Sequence, residues 1–81
     1  MRLDYTKSAL DTLKNLPLSV RKAFYKQAGF LRENLHHPSL HAKKFSESGN
    51  IWQARVNKNW RFYFKIESDT YLIVRIIPHP K

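Results

Sequence analysis

The sequence predicts an α+β domain: two N-terminal helices cover one face of a small, mostly antiparallel sheet, in the order β-α-α-β-β-β. Two periodicities carry this reading. Val20, Phe24, Ala28, Leu31 and Leu35 repeat at the spacing of one helical face. The last third of the chain instead alternates residue by residue, as strands do. No repeat, low-complexity tract or linker interrupts the 81 residues, which are read as a single domain spanning 1–81.

Each element has a local reason. Residues 1–5 read as a short strand. Thr6 is a candidate N-cap for a first helix that runs to about Leu16 and is stopped by Pro17. A second helix is expected from about Leu18 to Leu35, with Lys22, Lys26, Arg32 and Glu33 largely off its apolar stripe. That stripe is read as core packed against a sheet. "HHPSLHAKKFSESGN" reads as a polar loop containing Pro38 and Gly49. Three strands follow, at about Ile51–Asn57, Trp60–Glu67 and Thr70–Ile77. "NKN" forms the first turn, with Asn residues that tolerate left-handed backbone, and "ESD" forms the second.

Parity assigns the faces. Trp52, Ala54 and Val56 share one face with Trp60, Phe62 and Phe64, an aromatic cover for the helices. The other face carries Gln53, Arg55 and Asn57 on one strand and Arg61, Tyr63 and Lys65 on the next. A three-residue "NKN" loop pairs Val56 with Trp60, which sets Arg55 opposite Arg61 and Gln53 opposite Tyr63. Opposed like charges cost a few tenths to ~1 kcal/mol, so the pair suits a bound anion. The final strand is apolar on both parities, which points to a more central position. Its odd set, Tyr71, Ile73, Arg75 and Ile77, is expected on one side, and continuing that parity brings His79 beside Arg75.

Composition narrows the partners. Fifteen Lys and Arg against six Asp and Glu give a formal charge of +9 and a pI near 10.2. Such a balance favours polyanions: nucleic acid, an acidic protein or an anionic membrane surface. The absence of Cys excludes disulfides and thiol chemistry. With neither an apolar leader-like stretch nor a membrane-length run, a cytoplasmic protein is expected. His37 and His41 have a helical metal-ligand spacing, but Pro38 breaks the helix between them. No metal or other cofactor is expected.

A histidine near several guanidinium groups suits phosphoryl transfer. Arg supplies planar donors for phosphate oxygens, and an imidazole can protonate a leaving oxygen. RNA carries its own nucleophile in the 2′-OH. Lys43 and Lys44, ahead of the sheet, are candidate phosphate contacts, and Glu47 is the acid nearest this region.

With these features in place, the chain resembles the RelE/ParE superfamily of toxins from type II toxin–antitoxin systems. The likeness spans the helical pair, "HPSLHAKKF" and the meander. Its most specific stretch is "IWQARVNKNWRFYF". Within the superfamily the chain looks closest to the compact RelE-like and YoeB-like ribonucleases. The resemblance implies metal-independent cleavage of mRNA, commonly in the ribosomal A site, through 2′-OH attack and a cyclic phosphate. It implies that Arg61 stabilises the phosphate, Arg55 is a second basic position and His79 is the general acid. Lys43, Lys44, Tyr63, Lys65 and Arg75 would contact RNA. It also implies a cognate acidic antitoxin and no cofactor. Pro80 stands where the family has a Tyr after this His, and Ala42 and Lys43 stand near the YoeB-like catalytic Glu. The general base is therefore open. Two alternatives are a ParE-like toxin that inhibits DNA gyrase without cutting RNA, and a non-catalytic nucleic-acid-binding module.

Overall fold

The computed structural model describes residues 1–46 and 49–79. Strand β1 (Arg2–Tyr5) leads into helices α1 (Lys7–Asn15) and α2 (Leu18–Glu33), a 3-10 turn (Pro38–Leu40), and strands β2 (Lys43–Ser46), β3 (Ile51–Arg55), β4 (Trp60–Glu67) and β5 (Thr70–Pro78). The sheet order is β1-β5-β4-β3-β2, with β1 parallel to β5 and the other pairs antiparallel. The α+β architecture and the helical pair on one face agree with the sequence reading. The expected polar loop differs: it holds the 3-10 turn and the edge strand β2.

Local chemistry sets the helix ends. Thr6 caps α1 by accepting from the Ala9 N–H at 3.1 Å. Arg21 Nη2 donates to the carbonyl oxygens of Lys14 and Leu16 at 3.0 and 3.3 Å, closing the far end of α1 beside Pro17. The stripe on α2 is core as expected, since Val20, Phe24, Ala28 and Leu31 are buried. The helix stops two residues before Leu35, which lies beyond it and is half-buried. Phe24 meets Phe62 edge-on at 5.3 Å between ring centroids, joining helix to sheet.

The core contains one buried polar side chain among the described residues, Gln27, at 6% exposure. Its Nε2 donates to the carbonyl oxygens of Ser39 at 2.9 Å and Arg55 at 2.8 Å, while its Oε1 accepts from the Ser39 hydroxyl at 3.1 Å. The carboxamide therefore ties α2 to both the 3-10 turn and the end of β3.

The β3–β4 register matches the parity argument: Arg55 faces Arg61, Gln53 faces Tyr63, and Ala54 faces Phe62. The final strand corrects it. The pairing slips between Tyr63↔Arg75 and Phe64↔Ile73, leaving Val74 as an extra residue on β5. Tyr71 and Ile73 consequently join the core with Ile76, whereas Arg75 and Ile77 lie on the open face. Thr6 holds the bulge: its hydroxyl donates to the Val74 carbonyl at 3.2 Å, and its N–H donates to that of Ile73 at 3.0 Å.

Three stability outcomes follow from these contacts. Gln27→Leu fills the same space but strands the part-buried carbonyls of Ser39 and Arg55, so it should cost about 1–3 kcal/mol in a urea melt. Thr6→Ala removes the cap and the hydroxyl's bond to the Val74 carbonyl, keeps the backbone bond to Ile73, and should cost roughly 1–2 kcal/mol in the same assay. Burial holds the phenols of Tyr5 and Tyr71 above their ordinary pKa. Both are neutral in the fold when the unfolded chain begins to ionise, so stability should fall as pH rises above about 10. Tyr71→Phe should blunt that alkaline loss in melts run across pH.

Candidate active site

The turn at Asn57, Lys58 and Asn59 is the piece that builds the site. Asn57 Oδ1 accepts from the N–H groups of Asn59 at 2.8 Å and Trp60 at 2.9 Å. The turn thus uses Asn57 as a side-chain acceptor. Left-handed backbone among the described residues occurs instead at His41, Asn50 and Ser68. Carbonyls in and beside the turn then hold two of the candidate site residues. Arg61 Nη1 donates to the oxygen of Asn57 at 2.7 Å and to that of Trp60 at 2.9 Å. The His79 N–H donates to the oxygen of Asn59 at 2.7 Å.

An open cleft of about 440 Å³ sits at this end of the sheet, lined by His41, Lys43, Gln53, Ala54, Arg55, Arg61 and His79. Arg55 and Arg61 face each other across the β3–β4 ladder. Burial, and secondly the Arg55 guanidinium, push the Arg61 pKa below its ordinary value. Arg55 Nε is buried without a hydrogen-bond partner among the described residues. Among the described residues, all the hydrogen bonds of the Arg61 guanidinium leave from Nη1, which leaves its other edge for a ligand. Two crowded, partly desolvated guanidinium groups with donors to spare form a receptor for a phosphate-like anion.

The remaining sequence-predicted residues divide by position. Lys43 pairs with Gln53 and lines the cleft, whereas Lys44 pairs with Trp52 and so belongs to the opposite face of the sheet. Tyr63 and Arg75 face each other on the open face and line a second depression of about 430 Å³ with Phe45 and Ile77. Phe45 is 58% exposed and meets Tyr63 edge-on at 5.0 Å. Gln53 Nε2 donates to the Tyr63 hydroxyl at 3.0 Å and links the two depressions. Lys65 lies opposite Ile51, farther along the same face. Glu47 and Pro80 lie outside the described residues.

Sequence reasoning placed no cleft residue at His41, and the spacing that drew attention to it was the metal-like pairing with His37. The two histidines have separate surroundings. His37 stacks on Phe30 with centroids 3.9 Å apart, and its Nδ1 accepts from the Ser39 N–H at 3.2 Å. His41 lines the cleft that also holds the arginine pair.

Comparison with known proteins rests on shape. No protein-family model and no curated protein matches the sequence. Among solved structures, a YoeB/ParE toxin from Agrobacterium tumefaciens aligns with a TM-score of 0.82 at 12% identity, covering 99% of this chain and 100% of its own. The archaeal RelE–RelB complex from Pyrococcus horikoshii aligns at 0.79 and 17% identity, covering 95% and 92%. A RelBE toxin–antitoxin complex from Mycobacterium tuberculosis aligns at 0.77 and 25% identity, covering 96% of each chain. From helical pair to meander, the fold of this chain is that of the RelE/ParE toxin superfamily.

Proposed function

We propose that this protein is the toxin of a type II toxin–antitoxin pair and acts as a metal-independent endoribonuclease on mRNA, at the ribosome. The observation that carries the reading is the convergence of Arg55, Arg61, Lys43 and His79 on one cleft. A scissile phosphate between the guanidinium groups would relieve their mutual repulsion. Both cations would act more strongly on the transition state, where the phosphoryl oxygens gain charge.

The reaction balances without an external nucleophile. The 2′-oxygen attacks phosphorus and loses its proton, the bond from phosphorus to the 5′-oxygen breaks, and His79 protonates that oxygen. The products are a 2′,3′-cyclic phosphate and a 5′-hydroxyl. Past the cleft, Tyr63, Arg75 and exposed Phe45 offer aromatic and cationic surface for a neighbouring nucleotide, with Lys65 farther along. Lys44 would meet backbone phosphates only from the sheet's other face. Two of the similar structures are complexes of a toxin with its antitoxin. A formal charge of +9 here suits an acidic partner of that kind in the cytoplasm. Among the described residues, no helix is long and apolar enough to cross a membrane.

Induced expression of wild type, Arg61→Ala and His79→Ala, with 5′-end mapping of mRNA, tests the reading. Wild type should arrest growth with new 5′ ends. Each variant should lose cleavage by about 10²–10³-fold or more at unchanged protein level. Growth arrest with intact mRNA and a DNA-damage response would replace the ribonuclease with the gyrase-inhibiting alternative. Loss of RNA affinity in Arg61→Ala, with no cleavage in either protein, would leave only a binding module.

A further inference from the structure

We propose that His41 is the general base of the cleft, taking the proton from the 2′-hydroxyl while His79 supplies one to the leaving oxygen; the inference rests on the ribonuclease reading. Five of the lining residues have side chains able to carry a proton: His41, Lys43, Arg55, Arg61 and His79. No carboxylate belongs to that lining among the described residues. Arginine stays protonated and can only donate. An ammonium must lose its charge before it can accept, whereas a neutral imidazole is plentiful near pH 7. If His79 is spent as the acid, His41 is the remaining imidazole.

Its placement supports the role. His41 ends the 3-10 turn in left-handed backbone, with φ at 47°, a conformation uncommon for a residue bearing a Cβ. Strain of this kind persists where surrounding structure over-determines it. Here the Ser39 carbonyl is held by buried Gln27, and the His41 N–H donates to the Pro38 carbonyl at 3.4 Å. The ring of His41 makes no hydrogen bond among the described residues, unlike the ring of His37, which is occupied by Phe30 and Ser39. An exposed histidine on a backbone so held shares one cleft with the arginine pair and a second histidine, which brings a base, an acid and an anion receptor to one place.

In the step as proposed, the proton on the 2′-oxygen passes to His41 as the new bond to phosphorus forms. The bond to the 5′-oxygen breaks as His79 gives up its proton. The pair finishes with its protonation states exchanged and returns through solvent.

The variant of choice is His41→Asn, because Asn accepts left-handed backbone and cannot take the proton. Single-turnover cleavage should be measured against pH, using an mRNA with one defined cut site, free and in the ribosomal A site. A matched message should carry sulfur in place of the bridging 5′-oxygen at that site. Thermal melting of His41→Asn should match wild type. Its rate should fall by about 10²–10⁴-fold. The acid-side limb of the bell-shaped profile should vanish. Sulfur substitution should rescue His79→Ala, because a thiolate leaves without protonation, and should leave His41→Asn impaired. Wild-type rate or an intact acid-side limb in His41→Asn would overturn the assignment, as would its rescue by sulfur. If wild type cleaves neither message in either setting, the ribonuclease reading itself falls.

Discussion

The carboxamide of Gln27 is the interaction on which the rest of this structure depends. It lies inside the helix–sheet core, where an unpaired amide would be expensive, and it makes three hydrogen bonds to two separate segments. One segment is the 3-10 turn that delivers His41 and Lys43. The other is the end of β3, which presents Arg55. An apolar side chain could fill that volume, but it could not specify the distance between the two segments. The core of this small protein therefore fixes the geometry of a surface cleft through a polar contact.

The sheet supplies the second constraint. Two guanidinium groups are set face to face by a backbone ladder that does not yield to their repulsion. The same ladder separates the apolar layer of Ala54, Phe62 and Phe64 from the polar layer of Gln53, Arg55, Arg61 and Tyr63. On β5 the bulge at Val74 lets one strand serve both layers. Tyr71 and Ile73 enter the core before the bulge, and Arg75 reaches the open face after it. Thr6 makes this possible by satisfying a carbonyl that the bulge removes from regular pairing.

Much of this was legible in the residues. Alternation and loop length together point to the β3–β4 register, because a loop one residue longer mixes apolar and charged faces. The apolar stripe identifies α2, and Thr6 and Pro17 bound α1. The bulge was hidden because "YLIVRII" is apolar on both parities and records no slip. The edge strand β2 was hidden because "KKFS" is short and polar, as many edges are. It decides which lysine reaches the cleft, since neighbouring residues on a strand point to opposite faces. Gln27 carries a sequence signal of its own, a polar residue three after Phe24 and four before Leu31 on an otherwise apolar face. His41 left none beyond its type, because its position depends on that latch.

The turn at Asn57 to Asn59 has a mechanical consequence. Arg61 is tethered to it through its side chain and His79 through its backbone, so the two hang from one support. His41 and Lys43 ride on the segment fastened to α2. A displacement of the turn would therefore carry Arg61 and His79 together, whereas Arg55 is held from the other side, through the bond from Gln27 to its carbonyl.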